Sequence, residues 1–273
     1  MRGLGLVMAA VAVAGFAPAA AADRDKGLAA CEAQDWTTAG RELAPEEPTT
    51  TDDEVVRCLA DMRFSGYGLP RDAQKGFALW KRMADLGDDE AEETVGFFYL
   101  DSVGTERDLK LAEDYFLRSA AQGNMKAMAD LSLYYWLGFI GGGPNYEKSL
   151  QWTTRLAALG DLHSQIELVH VYARGDHVAQ DDKQAVAWAL KAAKQDSVDA
   201  YLFLGPALAE GRGIAADPVQ AYKWFNLAAF HRESAQAADA AKRRDEIAKA
   251  LTADQIKEAQ RLSFEWRLTA RPQ

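Results

Sequence analysis

Apolar residues recur along this chain at two interlocked helical spacings. Ala91, Val95 and Tyr99 lie four apart, as do Ala127, Leu131 and Tyr135, then Ser164, Leu168 and Tyr172, then Ala200, Leu204 and Leu208. An i, i+4, i+8 stripe is the buried face of an amphipathic helix. A second set lies between these stripes. The bulky residues Leu79, Tyr115, Trp152, Trp188 and Trp224 are each followed five positions later by alanine, at Ala84, Ala120, Ala157, Ala193 and Ala229. Each is preceded by Asp72, Asp108, Asn145, Asp181 or Asp217, residue types that cap helix N-termini by accepting a free backbone N–H. Pro218 follows Asp217 at the first helical position, where its missing N–H costs nothing. Three residues past each alanine stand Gly87, Gly123, Gly160, Asp196 and Arg232, with glycine as the expected helix terminator. The pattern predicts helices over 73–86, 109–122, 146–159, 182–195 and 218–231. It repeats every 36 residues, once 37, and the added residue falls in Gly141-Gly142-Gly143-Pro144.

Two helices per period, joined by glycine-containing loops, predict an all-α fold: an α-solenoid of antiparallel helix pairs with helical caps. Residues 23–50 are expected to form a degenerate opening pair, broken at Asp35, followed by a loop over 45–53. The array runs over 51–235. Residues 236–273 supply capping helices, the last N-capped by Thr252, with an apolar stripe at Ile247, Leu251, Ile256, Leu262 and Trp266. Ser132 and Val169 stand where the other units carry glycine after the Val/Leu column, which predicts slightly wider helix packing there.

Segments such as LADMRFSGYGLPRDAQKGFALWKRMADLGD and LFLGPALAEGRGIAADPVQAYKWFNLAA resemble Sel1-like repeats, relatives of tetratricopeptide repeats. The resemblance covers about residues 51–235, roughly five units. It implies a non-enzymatic interaction module. Families of this kind include periplasmic scaffolds and regulators, some restraining sensor kinases and others assisting envelope assembly. In the related tetratricopeptide repeats the first helix of each pair lines a concave groove. Carried onto this chain, the groove positions include Glu93, Phe97, Leu133, Trp136, Ile166 and His170. Phe97, Leu133 and Trp136 are apolar where exposure is expected, as in a protein-binding hot spot. The competing reading packs them against adjoining repeats or a loop. The aromatic columns, Trp152 and Tyr172 included, are expected in the core.

The N-terminus adds a targeting expectation. Arg2, an apolar run from Leu4 to Phe16 and the small-residue site Ala20-Ala21-Ala22 read as a secretory signal over 1–22. The protein is therefore expected to be exported, to the periplasm or beyond, without stable membrane insertion after cleavage. Leu28-Ala29-Ala30-Cys31 matches a lipoprotein box, but four charged residues separate it from the apolar run. Cys31 and Cys58 are the only cysteines. In an exported chain a pair is expected to bridge, pinning the opening helices to the first full unit; two buried thiols are the alternative.

Composition removes several classes. The net charge of −10 disfavours nucleic acid as a partner. No C-x-x-C, phosphate loop, G-x-S-x-G or Ser-x-x-Lys motif occurs, so no catalytic residue, cofactor or metal is assigned. His163, Glu167 and His170 share a helix face, which reads as an exposed polar surface before it reads as a metal site. The expected partner is a protein held in the groove; a glycan-binding module or a cell-wall hydrolase is the alternative.

Overall fold

A computed structural model describes residues 23–231 and 235–269. The expected signal segment 1–22 and Arg232 of the terminator column lie outside the described residues. All regular structure among the described residues is helical. In chain order the α-helices are α1 (Arg24–Glu32), α2 (Trp36–Leu43), α3 (Asp53–Ser65), α4 (Ala73–Asp85), α5 (Asp89–Asp101), α6 (Leu109–Ala121) and α7 (Met125–Leu137). They continue as α8 (Tyr146–Ala158), α9 (Leu162–Arg174), α10 (Asp182–Ala193), α11 (Val198–Glu210), α12 (Pro218–Phe230), α13 (Ala237–Ala248) and α14 (Ala253–Thr269).

The capping column forms as expected. Asp72, Asp108, Asn145, Asp181 and Asp217 each accept first-turn N–H groups of α4, α6, α8, α10 and α12. A second column, not singled out in the sequence, caps the first helix of each pair: Asp52, Asp88, Asn124, Asp161 and Ser197. Each such cap contributes about 1 kcal/mol. The terminator column works through left-handed backbone, with φ of +91° at Gly87 and +104° at both Gly123 and Gly160. Asp196 adopts the same conformation at +61°. Its carboxylate accepts the Tyr201 hydroxyl at 2.7 Å and lies 3.1 Å from His231 Nε2, which holds in place a conformation that side chains otherwise disfavour.

The chain divides into two compact units. The first comprises the described residues to Leu86 with 103–105, and the second comprises 87–102, 106–231 and 235–269. This division falls inside the stretch read as one array from 51 to 235. In the first unit α1 and α2 pack on α3, and α3 packs on α4. Cys31 of α1 is bridged to Cys58 of α3, with Cα atoms 6.3 Å apart. The segment expected as a plain loop opens with a 3₁₀ turn over Ala44–Glu46. Arg63 pairs with Glu47, and the Arg82 guanidinium donates to the carbonyls of Glu47 and Thr50 at 3.0 and 2.8 Å. The segment that follows the turn is thereby tied to α3 through the Glu47 side chain and to α4 through its backbone carbonyls.

In the second unit successive helices from α5 to α12 pack pairwise, and α13 and α14 both cover α12. Val95, Leu131, Leu168 and Leu204 are fully buried. Thr252 caps α14 with a reciprocal pair: its hydroxyl accepts from Gln255 N–H, and Gln255 Oε1 accepts from Thr252 N–H. Two core expectations are corrected. Trp152 and Tyr172 are only half-buried. The Arg155 guanidinium lies 5.4 Å from the Trp152 ring centroid, and Tyr172 packs against the margin of the core that contains Leu168 and Trp188.

The departures at Ser132 and Val169 have a steric counterpart that the sequence reading missed. A Cβ placed on Gly96 would come within 3.0 Å of the Phe116 ring, and one on Gly205 within 2.7 Å of Phe225. One unit further on from Phe116 the chain carries Thr153, and the next carries Ala189. Where the first helix gains a side chain, the second helix loses its phenyl ring, so side-chain size is exchanged across the helix pair.

Candidate functional site

The first helices α5 and α7 present three large apolar side chains to solvent. Phe97 is 40% exposed, Leu133 51% and Trp136 40%. They border two hollows that share Lys126. The smaller, about 250 Å³, is lined by Glu93, Thr94 and Phe97 from α5 and by Lys126, Asp130 and Tyr134 from α7. The larger, about 630 Å³, spans α7, α8 and α9 and includes Leu133, Trp136, Thr153, His163 and Glu167. The structure thus brings together four of the six expected groove residues. Ile166 instead packs half-buried against the core, and His170 is exposed and lines neither hollow.

Glu93 is also not the exposed contact its position implied. It is buried beneath Lys126, whose ammonium donates to its carboxylate at 2.9 Å. Asp130, one helical turn after Lys126, forms a side-chain hydrogen bond with Glu93. Burial, reinforced by this neighbouring carboxylate, pushes the Asp130 carboxyl up to about 7. The smaller hollow therefore has a wall in which one lysine faces two carboxyl groups, of which Asp130 holds its proton to near neutrality.

The floor of the larger hollow is a hydroxyl cluster. Ser132 Oγ lies 2.7 Å from Thr153 Oγ1 and 3.2 Å from Ser149 Oγ, and it donates to the Ser149 carbonyl. All three residues are buried. This cluster occupies the place of the glycine and phenyl ring that meet between α5 and α6. Removing the ring leaves room, and the hydroxyls satisfy one another within it.

Trp136 is held from the side. Its ring makes edge-on contacts with Tyr146 at 4.8 Å and with His177 at 5.1 Å, while Tyr146 and His177 stack 3.7 Å apart. His177 sits at φ +60°, just after α9, and this turn aims its ring back at α7 and α8. Such aromatic packing fixes the indole while leaving part of it in solvent. Glu167, half-buried in α9, faces the same hollow. Burial raises its carboxyl pKa, an effect only partly offset by His163. Among the described residues Glu167 has no hydrogen bond or ion pair, and no group of three or more His, Cys, Asp or Glu side chains is placed to hold a metal ion. Sequence reasoning missed Tyr146, His177 and the hydroxyl floor. The one signal for them was Ser132, whose departure from the repeat was visible.

Stacked helix pairs that show solvent apolar side chains beside shallow hollows are the architecture of helical-repeat interaction proteins. The chain belongs to the Sel1 repeat family, which it matches at residues 59–88, 90–124, 126–161, 164–197 and 198–229. These segments make up more than half of it. Repeats of this family form protein–protein interaction scaffolds. A Sel1 repeat protein from Oxalobacter formigenes shares the fold, with a TM-score of 0.54, 24% identity, and coverage of 76% of this chain and 85% of that one. An uncharacterized protein of Neisseria meningitidis serogroup B is 26% identical over 61% of this chain and 34% of its own length. Chitin synthase regulatory factor 3 of Schizosaccharomyces pombe is 24% identical over 64% of this chain and 23% of its own length. The chain thus spans about a third or less of these two curated relatives. No helix among the described residues is long and apolar enough to cross a membrane.

Proposed function

We propose that this protein is a non-catalytic scaffold or regulator, exported to the bacterial periplasm, that holds an envelope or signalling protein against the α5–α7–α9 face. The observation that carries the reading is the row of exposed Phe97, Leu133 and Trp136 on consecutive first helices, where a folded chain gains nothing by leaving them in water. Export is supported by the signal-like N-terminus and by the Cys31–Cys58 bridge, a bond that persists in oxidising compartments. A regulatory role agrees with the name of the fission-yeast relative, a chitin synthase regulatory factor.

Crosslinking in intact cells with tagged mature protein tests this reading, with the Phe97→Ala/Trp136→Ala double variant run beside it. One dominant protein should be captured by the wild type and lost at least tenfold in the variant, with helical content unchanged and Tm within a few degrees. If no specific protein is captured, the scaffold reading fails and glycan panels become the next experiment. If the variant unfolds, these side chains belong to the core and the face is not a docking surface.

A further inference from the structure

The larger hollow holds a carboxylate, Glu167, that has no hydrogen bond or ion pair among the described residues. Four residues line both it and an adjoining crevice walled by Tyr146 and His177: Trp136, Ser149, Thr153 and Glu167. They offer a fixed, part-exposed indole and that carboxylate above two buried hydroxyls. Asp161 adds a second carboxylate at the rim. One of its oxygens accepts the Ser164 N–H at 2.7 Å as the α9 cap, which leaves the other free. The only lysine lining the hollow, Lys126, is already committed to Glu93. The remaining basic group there is His163, whose ring partly offsets the effect of burial on Glu167 without forming a hydrogen bond or ion pair with it.

We propose that this hollow is a specificity pocket for an arginine side chain presented by a segment of the protein partner. The proposal rests on the scaffold reading for its biological occupant, but its chemistry stands on the pocket alone. A guanidinium is planar and weakly hydrated, stacks on aromatic faces, and carries five N–H donors. It matches a locked indole beside a carboxylate. An ammonium is a compact, strongly hydrated point charge that leaves such an arrangement underused. The volume of about 630 Å³ admits a long side chain with its flanking backbone. The chain's charge of −10 favours encounter with a basic segment.

The test titrates the isotope-labelled protein with the peptide acetyl-Ala-Ala-Arg-Ala-Ala-amide. Binding is followed by the Trp136 indole resonance, assigned with Trp136→Phe. Peptides with Lys or Gln in place of Arg run in parallel. The arginine peptide should saturate the indole shift in the millimolar range and bind at least tenfold more tightly than the glutamine peptide. Glu167→Gln should reduce binding at least tenfold, and the lysine peptide should be several-fold weaker than the arginine peptide. Equal binding of the three peptides, or binding indifferent to Glu167→Gln, overturns the proposal. Glu167→Gln is also introduced into the in-cell crosslinking. A partner captured through Phe97 and Trp136 yet untouched by Glu167→Gln would remove the arginine pocket and leave the scaffold reading intact. Arginine-selective peptide binding with no partner captured would do the reverse.

Discussion

Asp130 keeps its proton to about pH 7 because burial and the neighbouring Glu93 both oppose its ionisation. In the unfolded chain the same carboxyl titrates near 3.8. Between these values the folded state holds a proton that the unfolded state releases, so this group's contribution to stability declines as pH rises through the window. Lys126 moderates the effect by its positive charge, and Tyr134, one turn further along α7, stays neutral throughout, its own pKa pushed up to about 12 by burial and the surrounding carboxylates. Asparagine keeps a hydrogen-bonding amide at this position and cannot ionise. Asp130→Asn should therefore be nearly neutral at pH 4 and should gain on the wild type by on the order of 1 kcal/mol by pH 8. Thermal melts of both proteins across that range check this. A difference that stays constant with pH would show that Asp130 ionises freely in the folded protein.

At the scale of a helix pair, the exchange of size between facing positions decides which substitutions the fold accepts. Gly205 lies inside α11, where alanine would gain about 1 kcal/mol in helix propensity. Its Cβ, however, would come within 2.7 Å of the buried Phe225 ring, and overpacking of that kind costs about 1–3 kcal/mol. The clash wins, so Gly205→Ala should lower stability in chemical denaturation. Phe225→Ala alone should cost about 3–5 kcal/mol through the cavity it leaves. The double variant should be more stable than the sum of the two losses predicts, because α9 and α10 already pack with Val169 and Ala189 at the corresponding places. Strict additivity would show that the two positions do not share a space. The same exchange explains what was legible in the sequence and what was not. Columns such as Asp72 to Asp217 state one position five times, so cap, stripe and terminator emerge from comparison of the chain with itself. The hollow over Ser132 and Thr153 exists because one unit breaks the column twice, on two helices, and only packing reveals that the breaks face each other. Glu93 was placed by its column as an exposed groove residue, but Lys126, 33 positions away in sequence, covers it. A pattern read along one helix does not contain that contact.

For the whole molecule, the disulfide acts on one end of a structure whose stability is assembled from neighbour to neighbour. In repeat architectures each helix pair gains most from the pair beside it, so local stability can differ along the chain. The Cys31–Cys58 bridge closes a loop of 27 residues between α1 and α3. By loop-closure entropy this stabilises the segment by on the order of 3–4 kcal/mol. The helices it ties need that help. α1 and α2 span nine and eight residues, below the length at which isolated helices persist in water. The second unit has the long aromatic core around Tyr201 and Trp224, which stack 5.5 Å apart, and no cysteine. Cys31→Ser/Cys58→Ser should therefore act regionally. In native-state hydrogen exchange, amide protection should fall across α1 to α3 by on the order of a hundredfold or more, while α10 to α12 should retain theirs within a few-fold. A uniform loss of protection across both regions would mean that the chain unfolds as a single cooperative body. The bridge would then be a global determinant of stability rather than a clamp on the opening helices.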